Sequence, residues 1–334
     1  MSKTSRILRK ARAELRADTR PIARAKGPAD VIAMIPYLLG FSPADSIVLI
    51  ALQGPRRRFG PCLRMDLAPA AGAIAQVDYL MSIVEAHSFG TVLLVAFSDD
   101  PVSAAEVVEP LLRRLDLGGV TVTEAIRADG NRWYSYACDN PDCCDPDGTP
   151  YDCESSIMSA QAVVSGMTKA TNRDALRGQF EPNDLALCAE VAEQCQEVSA
   201  TNALDVVAGL VDDSLLTPAA LSASQLACLA VAVQSTAGMN QAWNSMTRDN
   251  AASKFELWLR VMQVVPDPLL PAVGSLAAFA AWLDGRGVLA SHAAERVQRV
   301  DPAYPMMLFL LQLLEQTVHP REWKDMPSLR RALT

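Results

Sequence analysis

The sequence predicts a two-part protein: an α/β domain with a mixed sheet and flanking helices, followed by an all-α domain that is tetratricopeptide-like in one segment. Three observations carry this. Between residues 28 and 137, strand-length apolar runs rich in β-branched residues alternate with helical periodicity. From Ser155 onward almost only the helical period remains, broken wherever Pro or Gly clusters. The chain has 334 residues and is 50% hydrophobic, enough for two ordinary domains with real cores. The expected plan is a basic N-terminal arm over 1–27, an α/β domain over 28–154 ending in a Cys-rich loop, and a helical domain over 155–334.

The elements follow in order. "GPADVIAMIPYLLGF" reads as a short helix, with Asp30 before the apolar run and Pro36 interrupting it. "IVLIAL" (Ile47–Leu52) is a continuous apolar strand. From Phe59 to Leu67 the pattern alternates, with Cys62, Arg64 and Asp66 on one face and Leu63, Met65 and Leu67 on the other. The turn "QGPRRR" joins the two strands into a hairpin. Residues 72–88 read as a helix, and "TVLLVAF" (Thr91–Phe97) as a strand buried on both faces. Asp99 and Asp100 then precede Pro101, which opens a helix running to about Asp116; carboxylates there suit the helix dipole. "VTVTEAI" (Val120–Ile126) is a fourth strand. The Asp-Gly turn at Asp129 returns "RWYSYA" as a fifth. Trp133 and Tyr134 leave opposite faces of that strand.

In the helical half, breaks fall at "FEPND", "LLTP", "VPDPLLP", "DGRG", "DPAYP" and "HPREW", marking seven or more helices. The stretch from Ala277 to Leu314 is helix, tight Gly turn, helix, Asp-Pro, helix. Trp282, Gly285, Ala290, Ala294 and Pro302 fall at spacings that fit a tetratricopeptide repeat, although only one clear copy is present and an ordinary helical hairpin reads the same.

Composition narrows the function classes. No apolar run reaches the length of a membrane span, and the N-terminus has neither an apolar core nor a cleavage pattern, so a cytoplasmic, reducing location is expected. Eight cysteines in a chain of this length do not make a disulfide scaffold. Residues 1–26 carry nine Lys or Arg against two acids, whereas the whole chain has net charge −8. A nucleic-acid contact is therefore open only to the basic arm over 3–26, and that arm reads equally well as a solvated tail.

The most distinctive run is "SYACDNPDCCDPDGTPYDCE", with four cysteines among six acidic residues. Zinc is one reading, through Cys138, Cys143, Cys144 and Cys153. The spacing C-x4-C-C-x8-C departs from the usual C-x2–4-C pairs, and adjacent cysteines in an extended chain point apart. Calcium would need an oxygen ligand where Cys143 stands. A catalytic thiolate is disfavoured by the surrounding carboxylates, and a Cys138–Cys143 disulfide by the cytoplasm. The remaining reading is small, buried cysteines bracing a loop. On spacing, the expectation is no cofactor and no stoichiometric zinc, with Cys138, Cys143 and Cys144 as the weak metal candidates.

Ligands of open α/β sheets sit at strand ends. Arg64 and Asp66, the pair Asp99–Asp100, Arg127 and Trp133 are the binding candidates there, for an anion or a ring-bearing ligand; a salt-bridged sheet edge is the plainer alternative. The sequence contains no glycine-rich phosphate loop, no G-x-S-x-G and no H-E-x-x-H. It holds three histidines, His87, His292 and His319.

"DVIAMIPYLLGFSPADSIVLIAL", "VLLVAFSDDP", "RWYSYACDNPDCCDPDGTPYD" and "AAWLDGRGVLASHAAERVQRVDPAY" together resemble an uncharacterised actinobacterial, or actinophage, domain-of-unknown-function family. Its members carry a Pro-Tyr-x-x-Gly-Phe-x-Pro-x-Asp-Ser signature. By resemblance, Pro36, Tyr37, Gly40, Phe41, Asp45, Ser46, Trp133, Ser135, Cys138, Cys143 and Cys144 fall on the family pattern, and Cys153 departs from it. Since the pattern contains Trp133 and not Tyr134, the resemblance implies that Trp133 is the inward one of the two. The resemblance spans roughly residues 28–316 and brings no activity with it.

The balance leans away from an enzyme. It points to a non-catalytic cytoplasmic interaction or scaffold protein, with a protein partner or a second copy and no membrane. The alternative is a protein or enzyme that binds a nucleotide or other anion through the polar residues at the sheet ends.

Overall fold

The structure, a computed structural model, describes residues 25–138, 140–165, 167–198, 209, 217–316, 318, 320 and 323. The basic arm's expected nucleic-acid contact, Asp139 and His319 lie outside the described residues. The described chain forms two compact units: residues up to 38, 42–77 and 90–169 make the first, and residues 39–41, 78–89 and 170 onward make the second.

The first unit is built on a six-stranded sheet of order β2-β1-β3-β4-β5-β6. Its strands are β1 (Ser46–Gln53), β2 (Arg58–Asp66), β3 (Thr91–Phe97), β4 (Thr121–Ala128), β5 (Arg132–Ser135) and β6 (Thr149–Pro150). The largely apolar β1 and β3 lie side by side in the interior, as strands apolar on both faces must. β1 and β2 form the expected hairpin, with Ser46 opposite Asp66 and Leu49 opposite Leu63. Only β3 and β4 run parallel, joined by helix α3 (Pro101–Leu117); a parallel pair requires such a crossover. Asp100 caps that helix by accepting from the Val102 N–H at 2.9 Å, with Pro101 in its first turn. Helices α1 (Pro28–Leu39), α2 (Ala73–Ala86) and α4 (Ile157–Val164) are also present. Residues 78–86 of α2 group with the second unit.

β6 lies in a segment that the sequence presents as loop. Thr149 pairs with Trp133 and Pro150 with Arg132. Proline is tolerated there because β6 is the edge of the sheet and need not donate onward.

The second unit contains α5 (Arg173–Gly178), α6 (Leu185–Glu197), α7 (Ala223–Ala232), α8 (Thr236–Asn244), α9 (Ala251–Met262), α10 (Leu270–Leu283), α11 (Gly287–Val300) and α12 (Pro305–Glu315). The helix–Gly turn–helix of the sequence is α10, Gly285 and α11; Gly285 holds φ +83°, which a side chain would oppose. All fourteen residues of α10 are buried. It packs against α9 and α11 and also touches α7, α8 and α12. A helix apolar on every side belongs at the centre of a bundle. A stack of repeats would let each helix pair touch only its neighbours. The repeat-like hairpin is therefore present, but among the described residues it is wrapped rather than stacked. Trp243, Phe279 and Trp282 add an aromatic cluster, with the Trp243 and Phe279 rings stacked at 3.8 Å.

Candidate functional site

The residues expected at the sheet end do not form one site. In register, Arg64 of β2 lies opposite Val48, Val48 opposite Val95, and Val95 opposite Ile126. Arg127 is the next residue along β4, so its side chain leaves the other face. By the same register Trp133, opposite Ala128, shares the Arg64 face, and Tyr134, opposite Arg127, shares the Arg127 face. Arg64 and Asp66 therefore lie on one face of the sheet and Arg127 on the other, because strand register fixes the alternation.

On the first face Arg64 is nearly buried. It donates to the Ser46 hydroxyl from Nε at 3.0 Å and from its terminal nitrogen at 2.7 Å, and pairs with Asp66 at 2.5 Å. Ser46 is fully buried at the start of β1 and in turn donates to the Ala44 carbonyl. Asp45 beside it holds φ +41°, unusual for a residue with a side chain, and its carbonyl accepts from the Leu67 N–H at 2.7 Å. Ser46 is a site residue that the candidate list lacked. Trp133 is buried, as expected.

On the second face Arg127 is buried at 7% exposure. It donates to the Ser98 carbonyl at 3.1 Å, and its guanidinium lies 3.9 Å over the Tyr134 ring. Tyr134 donates through its hydroxyl to Asp129 at 3.1 Å. Burial pushes the Asp129 carboxyl up, but hydrogen bonds from the Arg132 and Asn131 N–H groups and from Tyr134, with the charge of Arg127, outweigh it and hold it below the usual range. Asp100 is also held low, chiefly by hydrogen bonds from Ser103 and Val102. The helix end that might attract an anion is therefore already capped by the chain's own carboxylate. Asp99 is exposed.

The Cys-rich loop leaves the sheet between β5 and β6. Its base is tied down: Arg132 donates to the Asp147 and Gly148 carbonyls. Gly148 has φ +82°, and a Cβ there would lie 2.5 Å from the Tyr134 ring, so only glycine lets the loop close over that ring. Within the loop the main chain turns twice. The Asn140 side chain accepts from the Asp142 N–H at 3.0 Å, and the Asn140 carbonyl accepts from both Cys143 and Cys144. Asp145 makes a second such turn onto Asp147. Residues 140–144 are therefore a tight turn, not an extended segment, and the premise that adjacent cysteines diverge fails. The Sγ atoms of Cys138, Cys143 and Cys144 all lie within 4.8 Å of one another, those of Cys143 and Cys144 at 3.9 Å. Cys153 is not part of this group. All eight cysteines are thiols rather than halves of disulfides. Where a cysteine's pKa is displaced it is displaced upward: burial pushes Cys62 to about 12, and burial followed by its two neighbouring thiols pushes Cys144 to about 11. That is opposite to what a nucleophilic thiolate needs.

In the second unit, a partly exposed ionic network around the buried His292 brings together residues that were not among the candidates. Glu295 accepts from Arg173 at 3.1 Å and Arg177 at 3.3 Å, and lies 3.2 Å from His292 Nδ1. Arg296 donates to the carbonyls of Phe180 and Met262 and pairs with Glu181.

The fold and these sites define a class: a mixed α/β sheet with a tethered Cys-rich loop, followed by a largely helical bundle. The family model described as a domain of unknown function, DUF4192, matches residues 28–321, and the chain belongs to that family. No curated protein and no solved structure matches it. Among the described residues no helix is long and apolar enough to cross a membrane.

Proposed function

We propose that the protein is a non-catalytic cytoplasmic interaction protein that works through its surface, with a protein or a second copy of itself as partner. The observation that carries this reading is helix α4. Of its eight residues, Ile157, Val163 and Val164 are large, apolar and 59%, 59% and 82% exposed. Apolar side chains concentrated on one short helix mark a surface that gains from being covered. The sheet's cations support the same reading, since Arg64 and Arg127 both hold partners within the chain. Sedimentation velocity at rising concentration tests it, with Val163→Asp/Val164→Asp as the comparison. The parent is expected to self-associate and the variant to remain monomeric at unchanged melting temperature. A parent that stays monomeric, and whose variant binds an apolar fluorescent dye equally well, counts against it.

A second reading has one observation in its favour. Arg127, Tyr134 and Asp129 gather at the carboxyl end of the parallel pair β3–β4, where ligands of α/β sheets sit. Titration with nucleotides, read by calorimetry, separates the two: saturable binding abolished by Arg127→Met supports the ligand reading.

A further inference from the structure

We propose that Cys138, Cys143 and Cys144 form a three-thiolate site for one zinc(II) ion. The argument starts from the turn. Asn140 folds the chain so that Cys143 and Cys144, although adjacent, bring their sulfurs to 3.9 Å, and Cys138 on the incoming limb joins them within 4.8 Å. Zinc–sulfur bonds of about 2.3 Å at tetrahedral angles set ligand sulfurs about 3.8 Å apart. The trio therefore stands close to the spacing that one ion imposes and needs only a small closure of Cys138. A [4Fe–4S] cluster would seat each cysteine sulfur on a different iron and needs a wider spread.

The surroundings agree. The carboxylates of Asp142, Asp145 and Asp147 neighbour the trio in the chain; they disfavour an isolated thiolate but favour a bound cation. Three sulfur donors select a thiophilic ion over magnesium or calcium. The loop is also anchored at its base by Arg132 and by the Gly148–Tyr134 contact, so its two limbs are held near each other before any ion arrives. On binding, three S–H groups each release a proton and three Zn–S bonds form, with no change of oxidation state. Cys143 is solvent-exposed, so the fourth coordination position faces water. Zinc would link the incoming limb at Cys138 to the turn at Cys143–Cys144 and so cross-brace the loop between β5 and β6.

The test uses the full chain, reduced with a phosphine, and metal alone as the probe. Titration with cobalt(II) is expected to give the intense visible absorption of a tetrahedral site and a thiolate-to-cobalt charge-transfer band, saturating at one ion per chain and displaced by zinc(II). Cys143→Ser, at an exposed position where misfolding is not at issue, should weaken binding by more than the about 10–100-fold typical of losing an outer-shell partner. Cys153→Ser should leave the titration unchanged. Alkylation followed by mass spectrometry gives a second readout: zinc should protect Cys138, Cys143 and Cys144 and no other thiol. Absence of the charge-transfer band, equal loss in Cys153→Ser, or a Cys138–Cys143 disulfide that persists under the reductant would each overturn the proposal.

Discussion

The sheet and the helical bundle each bury an arginine, and they hold it differently. Arg127 serves one carbonyl, that of Ser98, and rests on the Tyr134 ring. Its ring partner lies seven residues away, across the β4–β5 hairpin. Arg296 serves two carbonyls, of Phe180 and Met262, and pairs with Glu181; these partners stand 116, 34 and 115 residues distant in the chain. The first cation is held by a local hairpin and the second by long-range packing. That difference governs both how much each contributes and how visible each is in the sequence.

The largest effect should fall on Arg296. Truncating it to Met leaves two buried carbonyls without donors and Glu181 without one of its cations. The expected loss is about 4 kcal/mol, chiefly from the two buried carbonyls left unpaired, since Glu181 is partly exposed and keeps Arg299. Arg127→Met orphans one carbonyl and should cost about 2 kcal/mol. Urea midpoints of the two variants, at unchanged m-value, measure the contrast. Equal losses would mean that the long-range network contributes no more than the hairpin.

Trp133 and Tyr134 sharpen the same comparison inside one strand. Trp133→Ala is expected to cost about 3 kcal/mol through lost burial and the cavity left behind. Tyr134→Ala removes the ring beneath a desolvated guanidinium and should cost about 2 kcal/mol. Side-chain alternation alone would make Tyr134 the cheap neighbour. Its contacts with Arg127, Asp129 and Gly148 make it costly. If Tyr134→Ala unfolds at the parent's urea concentration, the cluster on that face adds nothing to stability.

What the sequence reveals follows the same division. The β1–β2 hairpin, the Asp100 cap and the Asp129 turn are set by neighbours within a few residues, and patterning finds them. The inward Trp133 followed from the family resemblance. The Arg64–Asp66 pair was visible because the two share one strand face. Ser46 was visible only as part of the family signature; its role as the other partner of Arg64 appears once register sets it opposite Asp66. The clusters on the two faces of the sheet could not be separated without that register. Nor could Arg296 or the Arg173–Arg177–Glu295 network be found, since nothing local joins α5 to α11. The cysteine trio is an intermediate case. All three residues stand within seven positions, but their convergence depends on the turn at Asn140, which spacing rules for extended chain ignore.

The Gly148→Ala substitution probes where loop and sheet meet. The added Cβ would collide with the Tyr134 ring, and φ +82° is strained for alanine. Displacing the loop should cost about 1–2 kcal/mol. It should also weaken cobalt(II) binding at the cysteine trio, because the limbs lose their anchor. A normal titration in a destabilised Gly148→Ala variant would show that the trio preorganises without the sheet.

The smallest effect is a pH dependence confined to the helical bundle. His292 is 1% exposed, with Nδ1 on Glu295 and Nε2 lacking a partner. Burial holds its imidazole below the ordinary value, and the charges of Arg173 and Arg177 push the same way, against the opposing pull of Glu295. The folded protein therefore takes up this proton less readily than the unfolded chain. Stability is full above the unfolded value of about 6.5 and declines as pH falls from there toward the folded value. Glu295 acts in a lower window. Burial raises it, but the His292 hydrogen bond and the charges of His292, Arg173 and Arg177 outweigh that and leave it low. Its contribution is thus present above an unfolded value of about 4.3 and is lost in more acidic solution. The two windows can be separated by His292→Gln, which removes the upper one and leaves the lower to Arg173 and Arg177 alone. Urea midpoints between about pH 7.5 and about pH 5.5 should fall in the parent and fall less in the variant. Parallel slopes would mean that protonation of His292 is accommodated without cost, as a third positive charge beside Arg173 and Arg177 on Glu295.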